Sequence, residues 1–130
     1  MLEYITLPGD LLRPVGPFCH AVRAGDLLFL TGQLAQDPKT GEIARGPLAE
    51  QTRRVMENLK TVLQYAGAGF DRIVSARIFL TDFRDFETVN AVYASYFPAG
   101  RRPCRTTVGV LGLAGLGDVE IDLIAYLGPA

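Results

Sequence analysis

The run His20-Ala21-Val22-Arg23-Ala24-Gly25-Asp26-Leu27-Leu28-Phe29-Leu30-Thr31-Gly32-Gln33 sets the frame for the rest of the chain. A short run, His20 to Ala24, meets an apolar run, Leu27 to Gln33, across Gly25-Asp26. A two-residue Gly-Asp link between such runs predicts a β-hairpin. Residues Leu27 to Leu30 are apolar at both parities. A strand that is apolar on both faces has to be covered on both.

Working outward, Asp37-Pro38-Lys39-Thr40-Gly41 reads as a second turn, with Pro and Gly where turns favour them. Pro47 to Ala66 reads as a helix, because Leu48, Thr52, Val55, Leu59, Val62 and Ala66 recur at three- and four-residue steps. Pro47 suits the first turn, and Gly67 suits the residue just past the end. Ile73 to Leu80 is rich in strand-forming residues. Asp82 or Asp85 is placed to cap a second helix, with Phe86, Val89, Tyr93, Tyr96 and Phe97 on one face and Pro98 and Gly100 beyond.

Cys104 to Val110 and Val119 to Leu127 read as two more strands, separated by a loop holding Gly112, Gly115 and Gly117. Toward the N-terminus, Tyr4 to Leu7 is the weakest strand signal. The order β-β-β-α-β-α-β-β predicts an α+β class: a mixed, mainly antiparallel sheet with two helices on one face. No repeat, low-complexity tract or linker interrupts it, so residues 1–130 read as a single domain. The helices cover one face of the sheet. The apolar residues on the other face call for a second subunit, since a bare apolar sheet face is a sticky patch.

Composition narrows the function classes. The 130 residues are 48% hydrophobic and 21% charged, an ordinary globular balance, and the formal net charge is −1. That balance lacks the basic footprint of a nucleic-acid binder, so nucleic acid is not the expected partner. No basic segment followed by an apolar run opens the chain, and no apolar run reaches the roughly 18 residues of a membrane span. Cys19 and Cys104 match no zinc or redox spacing. A cytoplasmic protein with reduced thiols and no membrane contact is the expectation.

The usual catalytic engines are missing. His20 is the one histidine, and as a strand neighbour of Cys19 it points to the opposite face, so a structural role is expected. The glycines at 112, 115 and 117 form no phosphate-binding or dinucleotide pattern, and no residue cluster suggests a metal. Arginines and carboxylates remain. Arg101 and Arg102 follow a Pro-Ala-Gly loop and read as surface. Arg105 opens a strand after Pro103-Cys104, where a guanidinium fork can take a carboxylate or phosphate. On position alone, a strand-end arginine paired with an acid is the slightly favoured reading. Glu120 and Asp122 lie two apart in the last strand and share a face, either exposed or functional. With Arg105 taken to lie on the adjacent strand, a cross-strand Glu–Arg pair is a plain structural alternative.

Further motifs run the length of the chain: Val15-Gly16-Pro17-Phe18, Leu30-Thr31-Gly32-Gln33, Asp37-Pro38-Lys39-Thr40-Gly41-Glu42 and Asn58-Leu59. They continue as Asp85-Phe86-Glu87-Thr88-Val89-Asn90-Ala91-Val92-Tyr93, Phe97-Pro98, Pro103-Cys104-Arg105-Thr106-Thr107-Val108 and Val119-Glu120-Ile121-Asp122. In this order and spacing the chain resembles the reactive intermediate deaminase family, RidA or YjgF, historically called L-PSP endoribonuclease. The resemblance implies a chorismate-mutase-like fold, a homotrimer with sites between subunits, and hydrolysis of reactive 2-imino or enamine acids to 2-keto acids and ammonia without a cofactor or metal. It implies that Arg105 binds the substrate carboxylate and Glu120 positions or activates water. It places Phe18, Gly32, Asn90 and Thr107 with Arg105 around the substrate.

Phe18 stands where the family often has Tyr, so a hydroxyl is lost. Thr107 stands where it often has Cys, and the resemblance implies that only the backbone acts there. The 112–117 loop lacks the basic and Pro residues often found there, which leaves substrate preference open. An imine is already electrophilic, so an enzyme needs to hold the acid end, place water and move protons. Two other readings stand beside the deaminase. One is a non-catalytic trimer that binds 2-keto acids, with Glu120 dispensable. The other is the ribonuclease or translation-inhibitor role of the older names, against which the net charge argues.

Overall fold

In the computed structural model, which describes residues 1–129, Ala24 pairs with Leu27 across Gly25-Asp26, and the expected hairpin forms. Gly25 has φ 62°, the positive φ that a tight hairpin turn needs at its first central position. The hairpin strands are Ala21–Ala24 (β2) and Leu27–Gln33 (β3). The first strand, β1, is Leu2–Ile5, earlier than the expected Tyr4 to Leu7. His20 lies just outside β2.

The helix α1 spans Leu48–Tyr65. Pro47 is its N-cap rather than a residue of the first turn, with an extended ψ of 143°. At the other end Gly67 has φ 82°. Its N–H donates to the Gln64 carbonyl (3.1 Å), and the Ala68 N–H donates to the Leu63 carbonyl (2.8 Å). This is the Schellman pattern, so Gly67 ends the helix as its position predicts.

Next come strand β4, Ile73–Leu80, and helix α2, Phe86–Ala94. Asp85 is the N-cap of α2 but makes no side-chain capping bond. Asp82 instead accepts from the Arg84 N–H (2.9 Å) within its own turn. Tyr96 and Phe97 lie past the end of α2, yet Phe97 is buried in the core. Strands β5, Cys104–Gly109, and β6, Val119–Tyr126, complete the sheet.

The sheet order is β1-β2-β3-β6-β4-β5, with β4–β5 parallel and every other pairing antiparallel. The parallel pair follows from the crossover through α2, since parallel neighbours need a long connection. Burial alternates along β6: Val119, Ile121, Leu123 and Ala125 are buried, and the residues between them are half-buried. Their buried face meets α1 through Val55, Met56, Leu59, Val62 and Leu63, each wholly inaccessible. Truncating such a side chain to Ala costs about 2–5 kcal/mol.

The opposite face of the sheet carries no helix. Phe29 is 43% exposed there and Val108 40% exposed, beside Val22, Arg77, Asp122 and Ile124. The apolar residues of both parities in β3 thus divide into a packed set, Leu28 and Leu30, and an open set, Leu27 and Phe29.

Two buried polar side chains of α1 tie loops to this frame. Gln51 Nε2 donates to the Gly46 carbonyl (2.9 Å) and to Asp118 Oδ2 (2.8 Å), while its Oε1 accepts from the Asp118 N–H (3.1 Å). That bracket fixes the entry to β6. Asn58 Nδ2 donates to the Gln36 carbonyl (2.9 Å) and holds the segment after β3. Of the described residues, no helix is long and apolar enough to cross a membrane.

Candidate functional site

Glu120 stands on the open face of the sheet. Its place beside Gly32 follows from a bulge in β3. Leu30 pairs with Leu123, but Gln33 pairs with Ile121, so Thr31-Gly32 contain one residue more than the partner strand. Bulges of this kind re-aim the chain beside sites. Here the bulge leaves Gly32 against the Glu120 carboxylate, so close that a Cβ at position 32 would collide with Oε2. Thr31 secures the same corner: its hydroxyl donates to the Cys19 carbonyl (2.7 Å), and its N–H donates to the His20 carbonyl (3.0 Å).

Phe18, 47% exposed, sits in the loop that these bonds anchor. His20 completes the anchor as a buried structural histidine. Its Nδ1 accepts from the Leu7 N–H (2.9 Å), and burial holds its pKa below the usual value. Burial of Glu120 raises its carboxyl pKa, helped by the negative charge of Asp122 two residues on. A raised carboxyl is a stronger base toward water than an ordinary surface acid, and keeps more of its acid form available to a leaving amine near neutral pH.

Arg105 lies elsewhere. The expectation that its strand adjoins β6 is overturned, because β4 runs between them. Across the three strands, Arg105 aligns with Ala76 and Leu123, whereas Glu120 aligns with Phe79 and Val108. Ala76 and Leu123 are buried against the helices, so Arg105 is on the helix side and Glu120 on the open side. The cross-strand arginine–carboxylate pair does exist, between other partners. Arg77 of β4 donates from Nε and Nη2 to the two oxygens of Asp122, at 3.0 and 2.6 Å. Sequence reasoning passed over Arg77. The signal was present as an arginine in the middle of a strand whose neighbours are apolar.

On the helix side, Arg105 meets α2. Its Nη1 donates to Asn90 Oδ1 (2.8 Å), and Asn90 Nδ2 donates on to Glu87 Oε1 (3.1 Å). The guanidinium lies 5.1 Å from the centre of the Tyr93 ring and 5.6 Å from that of Phe86. Aromatic faces and one amide therefore hold the arginine, and no carboxylate bonds to it among the described residues. The rest of the fork is free for an incoming acid. Thr107 shares this side, aligned with Ile78, and its hydroxyl is buried without a hydrogen-bond partner among the described residues. Because β5 is an edge strand, its outer backbone groups are also unpaired.

The residues singled out in the sequence thus gather into two groups. Gly32 and Glu120 form one on the open side, with Phe18 in the loop tied to Thr31. Asn90, Arg105 and Thr107 form the other at the β5 edge on the helix side. Within one copy the sheet separates them. Among the described residues no cluster of His, Cys, Asp and Glu could hold a metal ion.

Residues 9–127 match the family model described as Endoribonuclease L-PSP. A RutC family protein of Pyrococcus horikoshii is 42% identical over 114 residues, covering 88% of this chain and 90% of that one. The 2-iminobutanoate/2-iminopropanoate deaminase of Bos taurus is 37% identical over 115 residues, covering 88% of this chain and 83% of its own. The crystal structure of RidA from an Antarctic Psychrobacter superposes with a TM-score of 0.87 at 31% identity, covering 95% of this chain and 99% of that one.

Proposed function

The chain belongs to the Endoribonuclease L-PSP family, the Rid/YjgF proteins, and on that premise we propose that it hydrolyses small 2-imino acids to 2-keto acids and ammonia. One observation carries the reading: among the described residues, Arg105 presents a fork with no acid bonded to it, while Glu120 carries a carboxyl with raised proton affinity and no hydrogen-bond partner. The first suits a substrate carboxylate and the second suits a water molecule. The name of the bovine relative points to the same substrate class.

The step needs no electron transfer. Arg105 takes the carboxylate by two parallel hydrogen bonds and fixes the imine carbon. Glu120, ionised, accepts a proton from water as the water oxygen bonds to that carbon, and the C=N π pair moves to nitrogen. The protonated Glu120 gives that proton to the nitrogen, and a carbinolamine results. The hydroxyl proton then passes by way of the Glu120 carboxylate to the amino nitrogen, so that the C–N bond breaks as the C=O forms, ammonia leaves and the carboxylate is regenerated.

Both groups reach one substrate when the β5 edge of one copy faces the open sheet of another. The bare apolar residues Phe29 and Val108 on that open face favour such contact. A ring of three copies closes this head-to-tail arrangement and makes three equivalent sites. The test is complementation. Arg105→Ala and Glu120→Gln chains are each inactive when assayed on an imine generated in situ. Refolded together in equal amounts, they regain about a quarter of wild-type activity, because each mixed ring carries one intact pairing. No recovery on mixing, or a solution mass near 14.1 kDa, overturns the shared site. A wild-type protein that releases keto acid no faster than buffer overturns the deaminase.

A further inference from the structure

Beside Arg105 the chain opens a pocket of about 300 Å³ lined by Asn90, Tyr93, Ala94, Arg102, Pro103 and Arg105. It lies at the small end of the range for small-molecule sites. Two of its six lining residues are arginines, and neither has an acidic partner among the described residues. The nearest carboxylate along the bond chain, Glu87, is spent on Asn90.

The floor is Tyr93. It is 4% exposed, and its hydroxyl has no hydrogen-bond partner among the described residues. Burial pushes its pKa up to about 12, against the smaller pull of the Arg105 charge. Two uncompensated like charges around one concavity repel each other, and an anion placed between them is stabilised by both. By contrast, the next arginine, Arg101, turns away and donates to the Asp71 carbonyl (3.5 Å).

We propose that Arg102 receives a second carboxylate in this pocket, so that the substrate class of this chain includes dicarboxylic 2-imino acids. The inference rests on the reading of Arg105 as the grip for the first carboxylate. A dicarboxylate places one acid group on Arg105 and curls its distal group towards Arg102 above Tyr93. A monocarboxylate of similar length leaves Arg102 unpaired.

Calorimetric titration of the intact protein with 2-oxoglutarate and with 2-oxobutyrate, a di- and a monocarboxylic keto acid, decides the matter. Wild type should bind 2-oxoglutarate more tightly. Arg102→Ala should shrink that preference by about 10- to 100-fold, the range for losing a charge-assisted bond. Arg101→Ala should keep it. Equal binding of the two acids by wild type overturns the proposal, as does a preference that survives Arg102→Ala. Turnover of the imines made by oxidising glutamate and 2-aminobutyrate is measured in parallel. If neither imine is turned over, the catalytic reading fails, while the titrations still decide the role of Arg102.

Discussion

Glu120 occupies the space that a side chain at Gly32 would fill. The bulge that brings them together puts a backbone without a Cβ against a carboxyl that must stay movable. Gly32→Ala should displace that carboxyl and lower kcat/KM by about 100-fold, the scale for an ångström-sized misplacement. The same change in a Glu120→Gln background should cost little more, because the two act through one group. Full additivity in steady-state kinetics would separate Gly32 from Glu120.

Asn90 holds Arg105 by a single amide oxygen. Asn90→Ala releases the guanidinium and should raise KM by roughly tenfold. Asn90→Asp keeps the shape but sets a carboxylate against the fork. It should be worse than Ala, because the new charge competes with the substrate. If Asp is tolerated better than Ala, Arg105 does not bind an acid.

Burial raises the pKa of Glu120 above its ordinary value of 4.5. The unfolded chain gives up this proton first, so ionisation weighs against folding. The stability tied to the protonated carboxyl is full below about pH 4.5 and is lost as pH rises through the folded-state pKa. Glu120→Gln should therefore melt above wild type at pH 7, with the gap closing near pH 4. Calorimetric melting at the two values checks the sign, and a gap that widens in acid contradicts it.

His20 works in the other direction. Its pKa is held below the ordinary 6.5, and its neutral Nδ1 accepts the Leu7 N–H. The stability it provides is present above pH 6.5 and is lost as pH falls through the depressed folded-state value. His20→Leu leaves the buried Leu7 N–H unpaired and should cost about 1–3 kcal/mol at pH 7. Urea unfolding should show that cost shrinking as the pH is lowered. A cost independent of pH would mean that the imidazole serves only to fill space.

The hairpin, α1 and its end were legible because each is written in near neighbours: Gly25-Asp26, the three- and four-residue apolar steps, and Gly67. Strand order was not legible. Arg105 and Glu120 sit fifteen positions apart in sequence, close to the ends of consecutive strands, and nothing local says that β4 enters between them. Parity placed Glu120 and Asp122 together on one face, as found. Parity could not say that Arg77 is the partner of Asp122, because pairing is a long-range outcome of packing. The bulge at Thr31-Gly32 escaped for the same reason, since a single glycine in an apolar run carries no register. Nothing in the local helix pattern marks Gln51 or Asn58 for burial, and only the loops folded against them show why they are buried.

The sheet that holds Arg105 and Glu120 on opposite sides also makes dilution a control. A site divided between copies, as proposed, exists only in the associated fraction, so turnover per chain falls once the protein is thinned below its dissociation constant. The amount of protein in a compartment then sets how many sites there are and also whether each chain has one at all.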